Sequence, residues 1–147
     1  MAKAFDSLSW SFMEKSLEAF GFGDGFRKFV KTIYNHPESC IMVNGTSTAY
    51  FTLERGVRQG DCFSCLLFII CIEPLLRRVD GNEEIEGLKI NNLKNKGVAY
   101  ADDCNFIVKN KNSLPALFSE LKKFGNVSGL KANVDKTEIL LLGSERS

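Results

Sequence analysis

The tetrapeptide Tyr100-Ala101-Asp102-Asp103 sets two carboxylates side by side, with Val98 before them and Phe106-Ile107-Val108 after them. A tight turn between strands favours Asn-Gly or Asp-Gly, and adjacent like charges repel. A divalent cation removes that repulsion. Mg²⁺ takes oxygen ligands and is commonly held by one or two carboxylates plus substrate phosphates. Ions held in this way can clamp the attacking and leaving oxygens of a nucleotidyl transfer. Taken alone, the tetrapeptide also reads as a solvated surface turn.

Two other segments carry groups suited to phosphates. In Arg55-Gly56-Val57-Arg58-Gln59-Gly60-Asp61, two glycines stand among two arginines and a glutamine. At a strand–helix junction such a stretch can present backbone N–H groups and guanidinium forks to a phosphate. It is not a P-loop, which needs Lys-Ser/Thr after its last glycine. In Gly129-Leu130-Lys131-Ala132-Asn133-Val134-Asp135-Lys136-Thr137-Glu138, a lysine ahead of a strand can contact a phosphate or protonate a pyrophosphate leaving group. A solvent loop and an ordinary surface lysine are the plain alternatives for these two.

The five cysteines stand at positions 40, 62, 65, 71 and 104. The odd number argues against a disulfide framework. Cys62-x-x-Cys65 could suggest zinc or dithiol redox chemistry, but it has no second pair and His36 is the only histidine, so neither a four-ligand zinc site nor a redox role is expected. Buried or idle thiols are the expectation.

The elements that must position these groups are legible from periodicity. Trp10, Met13, Leu17 and Phe20 fall at helical spacing within residues 7–20, and Gly21 and Gly23 end that helix. Asp24 caps a second helix that carries Phe26, Phe29, Val30, Ile33 and Tyr34 on one face, with Pro37 beyond its end. Residues 39–44 and 48–53 read as strands around Asn44-Gly45, a hairpin signal. Residues 64–79 read as a buried helix with room for a kink at Pro74. Residues 82–96 are loop-like, with a short strand near Leu88 to Ile90. Strands over 97–101 and 104–109 flank Asp102-Asp103. Ser113 caps a helix to about Gly125, with Leu114, Leu117, Leu121 and Phe124 inward, and Glu138 to Leu142 is a last strand. The pattern predicts one α+β domain, an antiparallel sheet with helices on one face.

Bulk composition adds mostly exclusions. The chain has 147 residues, 44% apolar and 25% charged, which excludes a disordered tail. Net charge is 19 − 18 = +1, and residues 1–60, 61–100 and 101–147 hold 7 and 6, 5 and 6, and 7 and 6 basic and acidic groups. No polybasic arm announces nucleic acid or a membrane surface, so any nucleic-acid contact needs a patch made by folding. The apolar run Leu66 to Leu76, broken by Glu73 and Pro74, is too short to span a membrane. Met1 to Asp6 is not a signal peptide, and an intracellular location is expected. Twelve phenylalanines promise a substantial core.

Taken in order, the segments resemble the reverse transcriptases of non-LTR, LINE-type retrotransposons. Lys3-Ala4-Phe5-Asp6-Ser7-Leu8-Ser9-Trp10 resembles the tail of motif A, and Val43-Asn44-Gly45 with Arg55 to Asp61 resembles motif B and its approach. Tyr100-Ala101-Asp102-Asp103 resembles motif C, and Ser128 to Glu138 resembles motif D. The match runs from about residue 3 to residue 142, so residues 1–147 are expected to be a partial reverse transcriptase domain. The resemblance implies a polymerase palm with part of the fingers, an RNA template, a DNA primer, dNTPs and Mg²⁺. It implies metal-site roles for Asp102 and Asp103 and a place near the leaving phosphate for Lys136. It implies that Phe5 packs under the incoming sugar, that Gln59 and Gly60 line the nucleotide pocket, and that Arg58 contacts a phosphate or supports the fold.

Two departures from the family pattern bear on activity. The family's metal-binding aspartate stands five residues before the Phe of Ala-Phe-Asp, which here falls ahead of Met1; Asp6 matches the family's second, non-metal aspartate. Where the family often reads Pro-Leu-Ser-Pro, this sequence reads Cys62-Phe63-Ser64-Cys65. The first departure predicts a chain truncated at its N-terminus, without the remaining fingers and the thumb, that does not polymerise alone. The competing expectation is a non-catalytic binder of RNA or primer-template, or a degenerate remnant. Such a binder needs stacking aromatics and a basic groove, whereas the aromatics here fall mostly at predicted core positions. A nuclear location is implied by the family only; Arg77-Arg78 and Lys122-Lys123 are isolated basic pairs.

Overall fold

The computed structural model describes residue 1, residues 3–90 and residues 93–142. Its first half is helical. A single turn, α1 (Ala4–Ser7), leads into α2 (Trp10–Ala19), whose N-cap Ser9 accepts from the Phe12 N–H. Helix α3 (Asp24–Ile33) follows the Gly21-Phe22-Gly23 stop.

The expected hairpin around Asn44-Gly45 forms, but in two pieces. Strands β1 (Glu38–Ser39) and β4 (Phe51–Thr52) pair at its base, and β2 (Met42–Val43) and β3 (Thr46–Ser47) pair at its tip. Asn44 and Gly45 both have positive φ, 49° and 79°, as a two-residue type I′ connection requires. Ser39 pairs with Phe51 and Met42 with Ser47, so two residues on one arm oppose three on the other. The extra residue is a bulge that splits the ladder.

Helix α4 (Cys62–Gly81) is the centre of the molecule. It starts two residues earlier than expected because Asp61 caps it, accepting from the Phe63 N–H and the Ser64 hydroxyl. It continues through Pro74. Leu67, Phe68, Cys71, Ile72, Leu75 and Val79 are its buried stripe. Met13 and Leu17 of α2, Val30 of α3, and Leu8 and Ile85 complete the core with Leu117 and Phe124 of the last helix, α5 (Leu114–Ser128).

The second half carries two hairpins. Strands β5 (Leu88–Ile90) and β6 (Leu93–Asn95) make one, β7 (Gly97–Tyr100) and β8 (Asp103–Phe106) the other. Helix α5 runs three residues past the expected end, because Gly125 lies inside it and Gly129, at φ 81°, is its left-handed C-terminal stop. Ser113 precedes α5 as expected, but its hydroxyl accepts from the Glu86 N–H instead of capping the helix.

Two expectations are corrected. The described residues form four separate two-stranded ladders, not one antiparallel sheet, so the fold is α+β with small sheets, of which the β7–β8 hairpin packs on α4. Glu138 to Leu142 is no strand: it has no pairing partner among the described residues, and Ile139, Leu140 and Leu142 are exposed. The phenylalanines contribute to the core mostly from its edge: Phe5, Phe12, Phe22, Phe63 and Phe106 are partly buried against it. Only Phe68 and Phe124 are buried, while Phe26, Phe29, Phe51 and Phe118 are exposed. On α3 only Val30 is buried; Phe26 and Phe29 meet the Phe63 ring of α4 edge-on yet stay exposed on their outer side, as does Ile33. No described helix is long and apolar enough to cross a membrane.

Candidate functional site

The paired aspartates sit at the tip of the β7–β8 hairpin. Ala101 and Asp102 form the two-residue turn, and Asp103 is already in β8, opposite Tyr100. Ala101 has φ 51°, the positive value a primed turn needs at its first loop residue. An alanine there carries strain of about 1–2 kcal/mol. Along the hairpin, Gly97, Ala99, Cys104 and Phe106 turn towards α4, and Val98, Tyr100, Asp103 and Asn105 turn outward. Tyr100 is 88% exposed. Beneath the tip, burial pushes the Cys104 thiol up, and the charges of Asp102 and Asp103 push the same way against the Met1 amine.

The first ten residues bind the other segments together. The Met1 nitrogen donates to the Asp102 carbonyl at 3.0 Å, so Met1 lies beside the aspartate turn. The Val57 N–H donates to the Phe5 carbonyl at 2.6 Å and the Gly56 N–H to the Leu8 carbonyl at 2.8 Å. The Trp10 indole Nε1 donates to the Gly56 carbonyl at 2.7 Å. Gln59 Nε2 donates to Asp6 Oδ1 at 3.2 Å. On the other side the Ser9 N–H donates to the Ser128 carbonyl at 2.8 Å.

Two glycines permit this backbone-on-backbone packing. A β-carbon on Gly56, at φ 92°, would stand 2.8 Å from the Phe5 oxygen. One on Gly129 would stand 2.3 Å from the Ser7 oxygen. Both contacts are shorter than any side chain tolerates, and both glycines occupy the left-handed region. The sequence marked these positions only as loop glycines; neither contact partner was identifiable without the fold.

The predicted site residues are therefore partly assembled. Phe5 stacks on Phe68, with ring centroids 4.8 Å apart and planes 11° apart, so one ring face is covered by the core. Gln59, Arg58 and Gly60 lie on the exposed loop that enters α4. Gly60 has φ 84° and open space around it, so its backbone conformation, not crowding, requires glycine. Burial pushes the Tyr34 phenol up, and the Arg58 charge is one of the influences that oppose it. Lys136 is exposed in a short 3₁₀ turn, Val134–Lys136, whose hydrogen bonds are local. Among the described residues no hydrogen bond or ion pair joins it to Asp102 or Asp103.

One anchoring residue was not anticipated. Lys96, immediately before β7, is only 2% exposed. Its Nζ donates to the carbonyls of Val79, Asp80 and Asn82 at 3.1, 2.6 and 2.7 Å, and so caps the C-terminus of α4. A cation there meets the negative end of the helix dipole. The base of the aspartate hairpin is thereby tied to the central helix.

The donor set at the hairpin tip fits a divalent cation of the Mg²⁺ type. Two carboxylates offer hard oxygens, and among the described residues no side chain or backbone N–H donates to either. No group of three or more His, Cys, Asp or Glu side chains that could hold a metal converges among the described residues, at Cys62-x-x-Cys65 or elsewhere.

An α+β domain with this hairpin, its glycine-clamped N-terminal segment and an exposed Arg-Gln-Gly loop defines a class, and the comparisons agree on it. Residues 1–146 match the family described as reverse transcriptase (RNA-dependent DNA polymerase), and the chain belongs to that family. It is 35% identical over 92% of its length to the Retrovirus-related Pol polyprotein from type-2 retrotransposable element R2DM of Drosophila melanogaster. It is 31% identical over 97% of its length to the Transposon TX1 uncharacterized 149 kDa protein of Xenopus laevis. A Retrovirus-related Pol polyprotein from type-1 retrotransposable element R2 of Popillia japonica is 28% identical over 91% of the chain. The chain spans 13%, 11% and 22% of the lengths of these relatives. The expected kinship with non-LTR retrotransposon reverse transcriptases therefore holds, as a small part of proteins several times longer.

Proposed function

We propose that these residues form part of the palm of an RNA-directed DNA polymerase that extends a DNA primer on an RNA template with dNTPs. The observation that carries the reading is the convergence on residues 1–10 of the Asp102 turn, the Gly56–Gln59 loop and the Ser128-Gly129 stop. Segments far apart in sequence gather around one short stretch, as a single reaction centre requires.

In this reading Asp102 and Asp103 hold divalent cations. When bound, such ions polarise the phosphate and stabilise the attacking and leaving oxygens. Phe5, backed by Phe68, presents a rigid surface to the incoming sugar. Gln59, braced by Asp6, and Gly60, which leaves open space, border the nucleotide. Arg58 offers a guanidinium fork to phosphate oxygens. Lys136, on its exposed turn, donates a proton or a hydrogen bond to the departing pyrophosphate.

Two measurements test this. Mn²⁺ binding by the 147-residue chain, followed by water-proton relaxation, is expected to be lost in the Asp102→Asn, Asp103→Asn double variant. Equal binding by the double variant, or none by the parent chain, overturns the metal assignment. In primer extension by a polypeptide carrying these residues, Asp102→Asn is expected to lower the rate at least about 100-fold. An unchanged rate overturns the catalytic assignment.

A further inference from the structure

We propose that Cys62 and Cys65 form a redox-active dithiol, a modification site for small disulfides such as glutathione disulfide. The inference is independent of the polymerase reading. Its basis is a contrast among the five cysteines. Cys71 is fully buried and its thiol is pushed up to about 12 by burial, which leaves it inert. Cys40 and Cys104 are half-buried and far apart in sequence from any other thiol. Cys62 and Cys65 are both exposed.

The helix brings these two together. Cys62 is the first residue of α4 and Cys65 stands three residues on, so both lie on one face of its first turn. Residues so spaced have β-carbons about 5–6 Å apart, and a disulfide needs about 3.5–4.5 Å. The remaining ångström or so must come from movement of the first helical turn. Its first helical bond, from the Cys65 N–H to the Asp61 carbonyl, is long at 3.3 Å. The opposite side of the turn is held. Ser64 is fully buried and bonds to Asp61, and the Tyr34 phenol meets the Ser64 hydroxyl. The turn is thus fixed on its inner face, and both thiols lie on its exposed side.

The step balances without a further reagent. One cysteine thiolate attacks a sulfur of glutathione disulfide, forms a mixed disulfide and releases one glutathione thiolate. The second cysteine thiolate attacks the protein-side sulfur, closes the Cys62–Cys65 bond and releases the other glutathione. The two cysteines lose two electrons to the one glutathione disulfide. Their two protons end on the two glutathione thiols. Gln59 lies three residues before Cys62, so the couple forms at the edge of the loop that meets Asp6.

The test is disulfide mapping of the 147-residue chain after equilibration in glutathione redox buffers, by peptide mass spectrometry under non-reducing conditions. The expected product is a peptide with Cys62 and Cys65 joined, lighter by two hydrogens and restored by dithiothreitol. Cys62→Ser and Cys65→Ser are each expected to stop at a mixed disulfide with glutathione on the remaining thiol. Mapping of the parent chain needs no variant and stands alone if either fails to fold. Mixed adducts only, or bonds from these residues to Cys40 or Cys104 instead, overturn the proposal. So does one equivalent of Zn²⁺ that protects both thiols from glutathione disulfide.

Discussion

A β-carbon on Gly56 would stand 2.8 Å from the carbonyl oxygen of Phe5, and the residue after Gly56 donates its N–H to that same oxygen. The loop that leads into α4 and the turn that follows the chain's first residues are therefore in backbone contact. The left-handed φ of Gly56 and the absence of its side chain are both needed for that contact.

Gly56→Ala is accordingly expected to destabilise the chain by roughly 1–3 kcal/mol, from backbone strain plus the displaced Phe5 carbonyl. Urea unfolding followed by far-UV circular dichroism reads the loss. Gly25→Ala is the control: it lies in the first turn of α3 with nothing within 4 Å. That substitution should be neutral or stabilising by up to about 1 kcal/mol. Equal losses at both positions contradict the close contact.

Lys96→Met keeps the length of the side chain and removes the cation from two carbonyls of the last turn of α4 and from that of Asn82 just beyond it. Buried acceptors that lose a charged donor make the change expensive, roughly 2–3 kcal/mol. The same unfolding experiment measures it. Hydrogen exchange should show the loss first in the Gly97 to Phe106 hairpin and the last turn of α4. A loss confined to other segments contradicts the anchoring role.

Glu120, buried on α5, accepts from Lys123 at 2.9 Å and from Arg78 of α4 at 2.8 Å. The Lys123 hydrogen bond first, and Arg78 second to it among the favourable partners, hold its carboxyl below the ordinary value near 4.5. A carboxyl depressed in the folded state stabilises it above the unfolded value, and that contribution is lost as pH falls through the folded one. Glu120→Gln should therefore flatten the acid limb of the stability profile below about pH 4.5. An unchanged acid limb removes the ion-pair role.

Cys71 has the opposite sign. Its folded thiol ionises only at about 12, against 9.0 for an ordinary thiol. The stability it contributes is complete below the unfolded value and is lost as pH rises, by about 1.4 kcal/mol per pH unit across that window. Cys71→Ala should lessen the alkaline decline in thermal stability between pH 9.0 and about 12. In the native chain below pH 9.0, iodoacetamide should label Cys62 and Cys65 and spare Cys71. Early labelling of Cys71 contradicts its burial.

Local order was largely open to reading. The periodicities of Met13 and Leu17, and of Leu117 and Phe124, placed α2 and α5, because a helix declares its buried stripe through spacing alone. Asn44-Gly45 declared its turn because few residue pairs accept two positive φ values. The Asp102-Asp103 pair was legible for a similar local reason, since adjacent charges at a turn demand an explanation within the turn itself. For helix α3 the shared face of Phe26, Phe29, Val30 and Ile33 was legible, but not that only Val30 of it would be buried. Amphipathic spacing states which residues share a face and says nothing of whether another element covers it.

By itself the sequence determined the helices, the hairpin turns, the family and the residue types able to hold cations and phosphates. Each of these is carried by neighbours within a few positions, where spacing and chemistry act directly. The tertiary structure alone decided that Met1 lies against Asp102, that Gly56 and Gly129 grip Phe5 to Ser9, and that Lys96 closes α4. It also decided that Glu138 to Leu142 finds no strand to join among the described residues. These are relations between backbone groups tens of residues apart. A carbonyl looks the same in every residue, so only the folded chain reveals which donor reaches it.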